Sequence, residues 1–350
     1  MQLFVKGSFI FSYLKPSADL LGLDLVQVPE YDGLRHDSII DFVNDHATED
    51  CVGFLYFPDF LYQELYKRYK NIKVKKIFWN IEDPNHFNTL ARQAATADFI
   101  FTTAAELARD YVSIFPTGKV VDVLTWACDP EIHFPRLDDM ELKDREFDIV
   151  FVGNRYPDQW ARMLAEKAVL LPALAWGRAH NKKMGVWGIG DGSRHSWRYV
   201  PAVWIDECGN APYGPSDTDC RDRLKSYSGI YQEFTGASVA PEIYRRSRVV
   251  LAMNEQITSP TMTSMRTYEA CACGNIVLSH ASPATESIFG GLVYQSATPQ
   301  ETAECLEEIF SEDPVCSDSL IVAQKAAIEM IEHHTYAHRL RKIIETVTRS

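Results

Sequence analysis

The sequence predicts an α/β protein of two domains, each built on a parallel sheet, and three observations carry that expectation. Short β-branched or aromatic runs alternate with amphipathic stretches, as where Cys51 to Phe57 is followed by Phe60 to Tyr69, the pattern of βαβ units. The 350 residues exceed what one typical core holds, and two domains of about 150 residues are the natural division. The pattern also starts twice: Gln2 to Val5 runs into the glycine turn Lys6-Gly7-Ser8, and Phe147 to Val152 into Gly153-Asn154-Arg155. An opening strand that feeds a glycine turn is how Rossmann-like domains begin, so two of these in tandem is the economical reading.

In the first half the expected strands are Gln2 to Val5, Asp24 to Val28, Cys51 to Phe57, Lys75 to Trp79, Phe99 to Thr102 and Val120 to Leu124. The helices between them are Asp37 to His46, Phe60 to Tyr69, His86 to Ala97 and Ala104 to Phe115. Trp126 to Pro135 ends this half, and the acidic, helix-poor stretch Arg136 to Glu146 reads as a linker between domains 1–135 and 147–350. The second half opens with the strand Phe147 to Val152, a helix from Trp160 to Val169 and a strand from Met184 to Trp187.

Residues 189–230 then form a long Gly-, Ser-, Pro-, Trp- and Tyr-rich insert with few periodic runs, a length usually functional or locally structured. Its aromatics, among them Trp197, Tyr199, Trp204 and Tyr213, suit either stacking on a sugar or base or filling a satellite core. Regularity resumes with a helix at Pro241 to Arg246, a strand at Arg248 to Met253, a short helix after Ser264, an apolar run at Asn275 to Ser279, and closing helices at Pro299 to Phe310 and Asp318 to Val347. The C-terminal helix is expected to pack back on the first domain.

A hydrophobic content of 46% with 24% charged residues suits a globular chain with material for two buried sheets. The net charge of −13 argues against broad attraction to a nucleic-acid backbone, while leaving room for a local basic groove. The apolar segment in MQLFVKGSFIF is too short for a signal peptide and no run reaches membrane-spanning length, so the expected location is cytoplasmic. The eight cysteines contain no C-x-x-C pair and are expected reduced. A zinc site on Cys271, Cys273 and a histidine is disfavoured, because C-x-C in a helix points the thiols to different faces. No metal ligands are assigned.

The stretch with most chemistry is Thr263 to Gly274. It follows a strand and a polar loop, so Ser264 or Thr263 would cap a helix whose free N–H groups face the carboxyl end of a sheet, where α/β proteins bind phosphate. Arg266 and Glu269, three apart, share a helix face. A guanidinium near the helix start suits a pyrophosphate, and a carboxylate one turn on accepts from both hydroxyls of a ribose. The plain alternative is an intrahelical ion pair on a solvated face, worth a few tenths of a kcal/mol (~0.3). In the first half, Gly7 permits close approach of a ligand, or is an ordinary turn glycine. The loop Trp79 to Phe87 brings Glu82, Asp83 and His86 to a predicted strand end, with Asp83 either a site carboxylate or the N-cap of a helix starting near Pro84 or Asn85.

Several short motifs together resemble one family. In order they are W-x-x-x-D-P at Trp79 to Pro84, A-x-x-A-D-F-I-F-T at Ala94 to Thr102 and D-P-E-x-H-F-P at Asp129 to Pro135. They continue with D-I-V-F-V-G-N at Asp148 to Asn154, Y-R-R-S-R-V-V-L-A-M-N at Tyr244 to Asn254, M-R-T-Y-E-A-C-A-C-G at Met265 to Gly274 and H-T-Y-A-H-R at His334 to Arg339. The chain resembles the CgeB-like glycosyltransferases, relatives of the group 1 glycosyltransferases, over most of its length and least over residues 1–70 and 189–230.

The resemblance implies a GT-B fold, two facing Rossmann-like domains with a deep interdomain cleft, and transfer of a sugar from a nucleotide-sugar donor, a UDP-sugar first, to an acceptor hydroxyl. The donor would lie on the second domain, with Glu269 on the ribose, Arg266 and Ser264 near the diphosphate, and Gly153, Asn154 and Arg155 lining the cleft opposite Gly7. Asp83 or His86 would orient or deprotonate the acceptor, with Arg266 supporting the leaving group. No metal cofactor is required, since a helix dipole, backbone N–H groups and a basic side chain stabilise the departing diphosphate. The acceptor is open: a saccharide, a protein, a small molecule or a modified nucleic-acid base. The sequence departs from the group 1 pattern of two glutamates eight positions apart, because counting back from Glu269 reaches Thr261. The first glutamate, which would touch the transferred sugar, is therefore missing, which leaves the donor sugar open and the stereochemistry open between inversion and the retention expected of the group. A catalytically silent nucleotide-sugar-binding or assembly protein on the same fold is the alternative. An NAD-dependent oxidoreductase is disfavoured, since no G-x-G-x-x-G follows either opening strand.

Overall fold

The computed structural model describes residues 1–29, 38–59, 65–115, 118–135, 145–153, 160–188, 231–233, 239–254, 258–311 and 318–350. Asn154, Arg155, the aromatic insert 189–230 and most of the linker 136–146 lie outside the described residues. Two compact units are present: Met1–Glu131 with Ser259–Met262 and Glu332–Ser350, and Ile132–Thr258 with Thr263–Ile331.

The first unit holds β1 (Gln2–Val5), α1 (Ser8–Leu20), β2 (Asp24–Gln27), α2 (Ser38–His46), β3 (Cys51–Tyr56), β4 (Lys76–Asn80), α3 (Phe87–Leu90), β5 (Phe99–Thr102), α4 (Ala108–Ile114) and β6 (Val120–Val123). The strands form one parallel sheet in the order β2-β1-β3-β4-β5-β6. β1 and β5 are buried along their whole length, which is why these strands read as continuous apolar runs rather than alternating ones. Phe4, Phe54, Tyr56, Phe78 and Ile100 pack with Ile39, Ile40 and Val43 of α2. The segment Leu65–Asn71 is a 3-10 helix, whose period of three puts Tyr66 and Tyr69 in one buried row and Lys67 and Lys70 in an exposed one.

The sequence pattern names no helix at α1, where Pro16 stands inside the element. The helix expected over His86 to Ala97 is α3 followed by a 3-10 turn at Ala91–Thr96, and that over Ala104 to Phe115 opens with a 3-10 turn at Ala105–Leu107.

The second unit contains β7 (Phe147–Val152), α5 (Trp160–Ala165), α6 (Leu171–Ala179), β8 (Met184–Gly188), β9 (Tyr231–Glu233), α7 (Val239–Arg245), β10 (Ser247–Ala252), α8 (Met265–Ala272), β11 (Ile276–His280), α9 (Pro283–Phe289), β12 (Tyr294–Ser296), α10 (Pro299–Ser311) and α11 (Asp318–His333). The helix expected over Trp160 to Val169 continues through a π turn at Glu166–Leu170 into α6. The sheet is again parallel, in the order β12-β11-β10-β7-β8-β9, around a core of Ile149, Phe151, Val249, Leu251 and Leu278 against Val169, Leu174 and Leu306.

The single closing helix expected over Asp318 to Val347 is two, because Thr335 leaves the helical path and caps α12 (Tyr336–Arg349) in a capping box with His338. α12 belongs to the first unit, where Tyr336 meets Tyr13 of α1 and the Arg339 guanidinium donates to the carbonyls of Thr125 and Trp126.

Each sheet reverses its strand order once. In the first unit β1 pairs with both β2 and β3, and in the second β7 pairs with both β8 and β10. Loops leaving two such strands diverge and open a crevice outside their carboxyl ends, the usual ligand position in open α/β sheets. In the second unit the residues beyond those ends are Gly153 and Met253-Asn254; in the first they are Lys6-Gly7 and Phe57-Pro58-Asp59.

Candidate functional site

The second unit's crevice is built from three strand ends and one helix start. Asn254, wholly buried beyond β10, ties the end of β11 to the start of α8. Its Oδ1 accepts from Thr263 Oγ1 at 2.8 Å and from the Ser264 N–H at 3.2 Å, and its Nδ2 donates to the His280 carbonyl and to Thr285 Oγ1, both at 2.9 Å. Ser264 is the N-cap residue of α8, but its side chain makes no capping bond; the Asn254 amide serves its backbone instead. Asn254 is a site residue that the sequence reading quotes only as the end of a motif, and a polar residue closing an apolar strand is the signal that marks it.

Arg266 stands in the first turn of α8, and its guanidinium lies on Gly153. A Cβ on Gly153 would come within 3.0 Å of Arg266 Nε and 3.2 Å of Cζ. A cation at a helix N-terminus opposes the helix dipole, and no acidic residue occupies this first turn to offset it. Guanidinium and helix start thus concentrate positive potential at one point of the crevice, a chemistry that favours an anion.

Glu269 does not follow the plain expectation of a solvated intrahelical pair. It is buried, with Oε1 3.5 Å from His133 Nε2 and Oε2 accepting from the Tyr244 hydroxyl at 3.5 Å. His133 is 1% exposed and belongs to the D-P-E-x-H-F-P block, so two motifs 136 positions apart in the chain meet at one carboxylate. Both Cys271 and Cys273 are buried, and neither is in a disulfide.

The first unit carries a separate polar cluster beyond β4 and β5. Asp83 is fully buried; Asn80 Nδ2 donates to its Oδ1 at 2.7 Å and Thr102 Oγ1 to its Oδ2 at 2.6 Å. Burial raises the Asp83 carboxyl to about 7, helped by the charge of Glu106 and opposed by bonds from Thr102 and Tyr111. The helix-cap alternative for Asp83 is therefore incorrect: α3 begins at Phe87 with His86 at the N-cap, and the carboxyl bonds back to the sheet. His86 is half-buried and makes no side-chain capping bond to α3. Thr261, at the place of the absent glutamate, donates to the Thr103 carbonyl at 2.9 Å and accepts from the Ala105 N–H at 2.8 Å. Gly7 adopts φ +111° with nothing within 4 Å of an added Cβ, so backbone conformation demands the glycine there and the space beside it is open. Beside it Lys6 Nζ pairs with Asp59 at 2.7 Å.

Residues 220–345 match a family model described as glycosyl transferase-like. That stretch includes β10, α8 and the Asn254, Arg266 and Glu269 positions. Among curated proteins, no sequence matches the chain. Solved structures match its fold over the full length. Anabaena HepE in complex with UDP and glucose is 14% identical with a TM-score of 0.60, covering 100% of this chain and 99% of that one. The Escherichia coli trehalose-6-phosphate structure bound with UDP-2-fluoro glucose is 13% identical, TM-score 0.59, with 100% and 99% covered. Sucrose-phosphate synthase from Thermosynechococcus elongatus is 10% identical, TM-score 0.58, with 100% and 98% covered. These likenesses give the fold class: two parallel α/β sheets of the GT-B type. Among the described residues no helix is long and apolar enough to cross a membrane, and no group of three or more His, Cys, Asp or Glu side chains is arranged to hold a metal ion.

Proposed function

We propose that the protein is a glycosyltransferase of the CgeB-like kind that moves a sugar from a nucleotide-sugar donor, a UDP-sugar first, to an acceptor hydroxyl. The observation that carries this is the Arg266 guanidinium held against Gly153 at the start of α8, in the crevice where the strand order reverses. The glycosyl transferase-like match over that stretch, and GT-B neighbours crystallised with UDP or UDP-sugars, support the same reading. In it residues 147–350 bind the donor. Arg266, Ser264, the start of α8 and the turn Gly153-Asn154-Arg155 meet the diphosphate, and Glu269 meets the ribose. The departing diphosphate is stabilised by the guanidinium and the helix N-terminus without a metal ion.

Residues 1–135 serve the acceptor. His86 is the group that orients or deprotonates its hydroxyl, and Gly7 leaves room beside the backbone. Asp83, buried with both oxygens engaged, acts through the loop that carries His86 rather than on the acceptor itself. Retention is the expected stereochemistry for a group 1 relative, and Thr261 leaves the contact to the transferred sugar to another residue.

Calorimetric titration with UDP, GDP, ADP and CMP, followed by incubation with the matching labelled nucleotide-sugars, tests the proposal. Binding of one nucleotide and donor hydrolysis or transfer is the expected result. Binding without turnover would leave the catalytically silent nucleotide-sugar-binding reading in its place, and no binding of any of the four would end both.

A further inference from the structure

The contact between His133 and Glu269 carries more than the assignment of a ribose carboxylate. Glu269 lies 3% exposed in the second unit. A buried carboxylate is costly unless its oxygens are satisfied, and two oxygens accept about four hydrogen bonds between them. Among the described residues each has one neighbour at the outer limit of bonding distance, His133 Nε2 and the Tyr244 hydroxyl, both at 3.5 Å. The carboxylate is therefore oriented from two sides and retains acceptor capacity for a ligand's hydroxyl protons.

Both neighbours are braced. The carbonyl of Ile132, next to His133, accepts from Arg245 Nη1 at 3.0 Å, and the same guanidinium lies over the Phe134 ring at 5.1 Å. One residue further on, Pro135 packs on Gly274, where an added Cβ would stand 3.2 Å from the proline's. Tyr244 is wholly buried, and its carbonyl accepts from Asn275 Nδ2 at 2.7 Å. An imidazole on a segment clamped this way fixes which oxygen of Glu269 faces a ligand, as outer-shell partners do for metal ligands and catalytic groups.

We infer that His133 is a positioning residue that holds Glu269 for the 2′-hydroxyl of the nucleotide, so that the site selects ribonucleoside over deoxyribonucleoside diphosphates. This rests on the donor-site reading above. The 2′-hydroxyl donates to Glu269, and a deoxynucleotide leaves that buried carboxylate short of a partner, which is where strong discrimination arises.

The test is calorimetry of the full chain with UDP and 2′-deoxy-UDP, or with the ribo and deoxy forms of whichever nucleotide binds in the titration above. Wild type should prefer the ribo form by about tenfold or more, the worth of one bond to a charged acceptor. Glu269→Gln and His133→Phe should both bring the preference to within about threefold, while His133→Gln, whose amide nitrogen stands near the place of Nε2, should keep most of it. If His133→Phe melts before the titration, His133→Asn, too short to reach Glu269, replaces it. A His133 variant that weakens both nucleotides equally and leaves their ratio intact would make His133 merely structural and overturn the inference. So would a wild type that binds both forms alike, with the donor-site reading left standing. Absence of nucleotide binding by wild type would strike the donor-site reading itself.

Discussion

The guanidinium of Arg266 rests on the backbone of Gly153, so close that a methyl group on the glycine would stand 3.0 Å from Nε. The same methyl would meet the Phe151 ring at 2.9 Å. Gly153→Ala must therefore displace the guanidinium, the ring or both. The expected outcome is nucleotide binding weakened about tenfold, with a stability loss of about 1–2 kcal/mol from overpacking. Calorimetry and urea denaturation of one preparation read the two effects separately.

Arg266→Ala should lower turnover by the worth of one charge-stabilising group, about 2–4 kcal/mol, while leaving the free protein's melting temperature unchanged or higher. The second half follows from the helix dipole, which a cation in the first turn of α8 opposes. Arg266→Lys should restore only part of the rate, because an ammonium lacks the planar fork that grips two phosphate oxygens. A large loss of stability in Arg266→Ala would mean the side chain is structural.

Asn254 bonds two backbone groups and two side-chain hydroxyls through one amide, and none of it is exposed. Asn254→Ala should cost about 3 kcal/mol or more, because the polar groups around it are left buried without partners. Asn254→Asp keeps the acceptor for Ser264 and Thr263 but loses the donors to His280 and Thr285, and should fall between. Denaturant midpoints at pH 7 rank the three proteins.

Asp83 predicts a pH dependence of stability. Its folded pKa, raised by burial to about 7 from the ordinary aspartate value of 3.8, means the folded protein holds a proton that the unfolded chain has released between those two values. Stability from this group is therefore greatest at the acid end, falls as pH rises through that window, and levels off above about 7, for a total on the order of 4 kcal/mol. Asp83→Asn cannot titrate. The difference in unfolding free energy between wild type and Asp83→Asn should drift with pH from 4 to 8, and parallel profiles would show that the carboxyl ionises as in the unfolded chain.

Thr261 both donates and accepts inside the first unit. Thr261→Val removes both bonds at nearly constant volume and should cost about 1–2 kcal/mol. Thr261→Glu, which writes the group 1 pattern back into the sequence, should be less stable still and gain no turnover, since the pocket at Thr103 and Ala105 fits a hydroxyl. A rate increase in Thr261→Glu would contradict this placement.

Much of the architecture was legible because its causes are local. Strands with apolar runs such as Leu3 to Val5, Phe99 to Phe101 and Ile149 to Val152 are what a sheet covered on both faces buries, and each is bounded by its own turn residues. α1 escaped because Pro16 breaks its pattern. The closing helix read as one because the cap at Thr335 depends on a hydroxyl that also fits a helix interior.

By itself the sequence determined two parallel α/β sheets and a helix start bearing Arg266, because hydrophobic period, glycine turns and strand-to-helix order are properties of neighbouring residues. Tertiary structure alone decided what the polar side chains do. Spacing put Arg266 and Glu269 on one helix face, yet a helix face is wide: one side chain lies on Gly153 and the other between His133 and Tyr244. Asp83, which could have capped a helix, instead accepts from Thr102, 19 positions away. The state of a carboxylate depends on what desolvates it and what donates to it, and those partners come from strands and loops brought together only when the sheet closes.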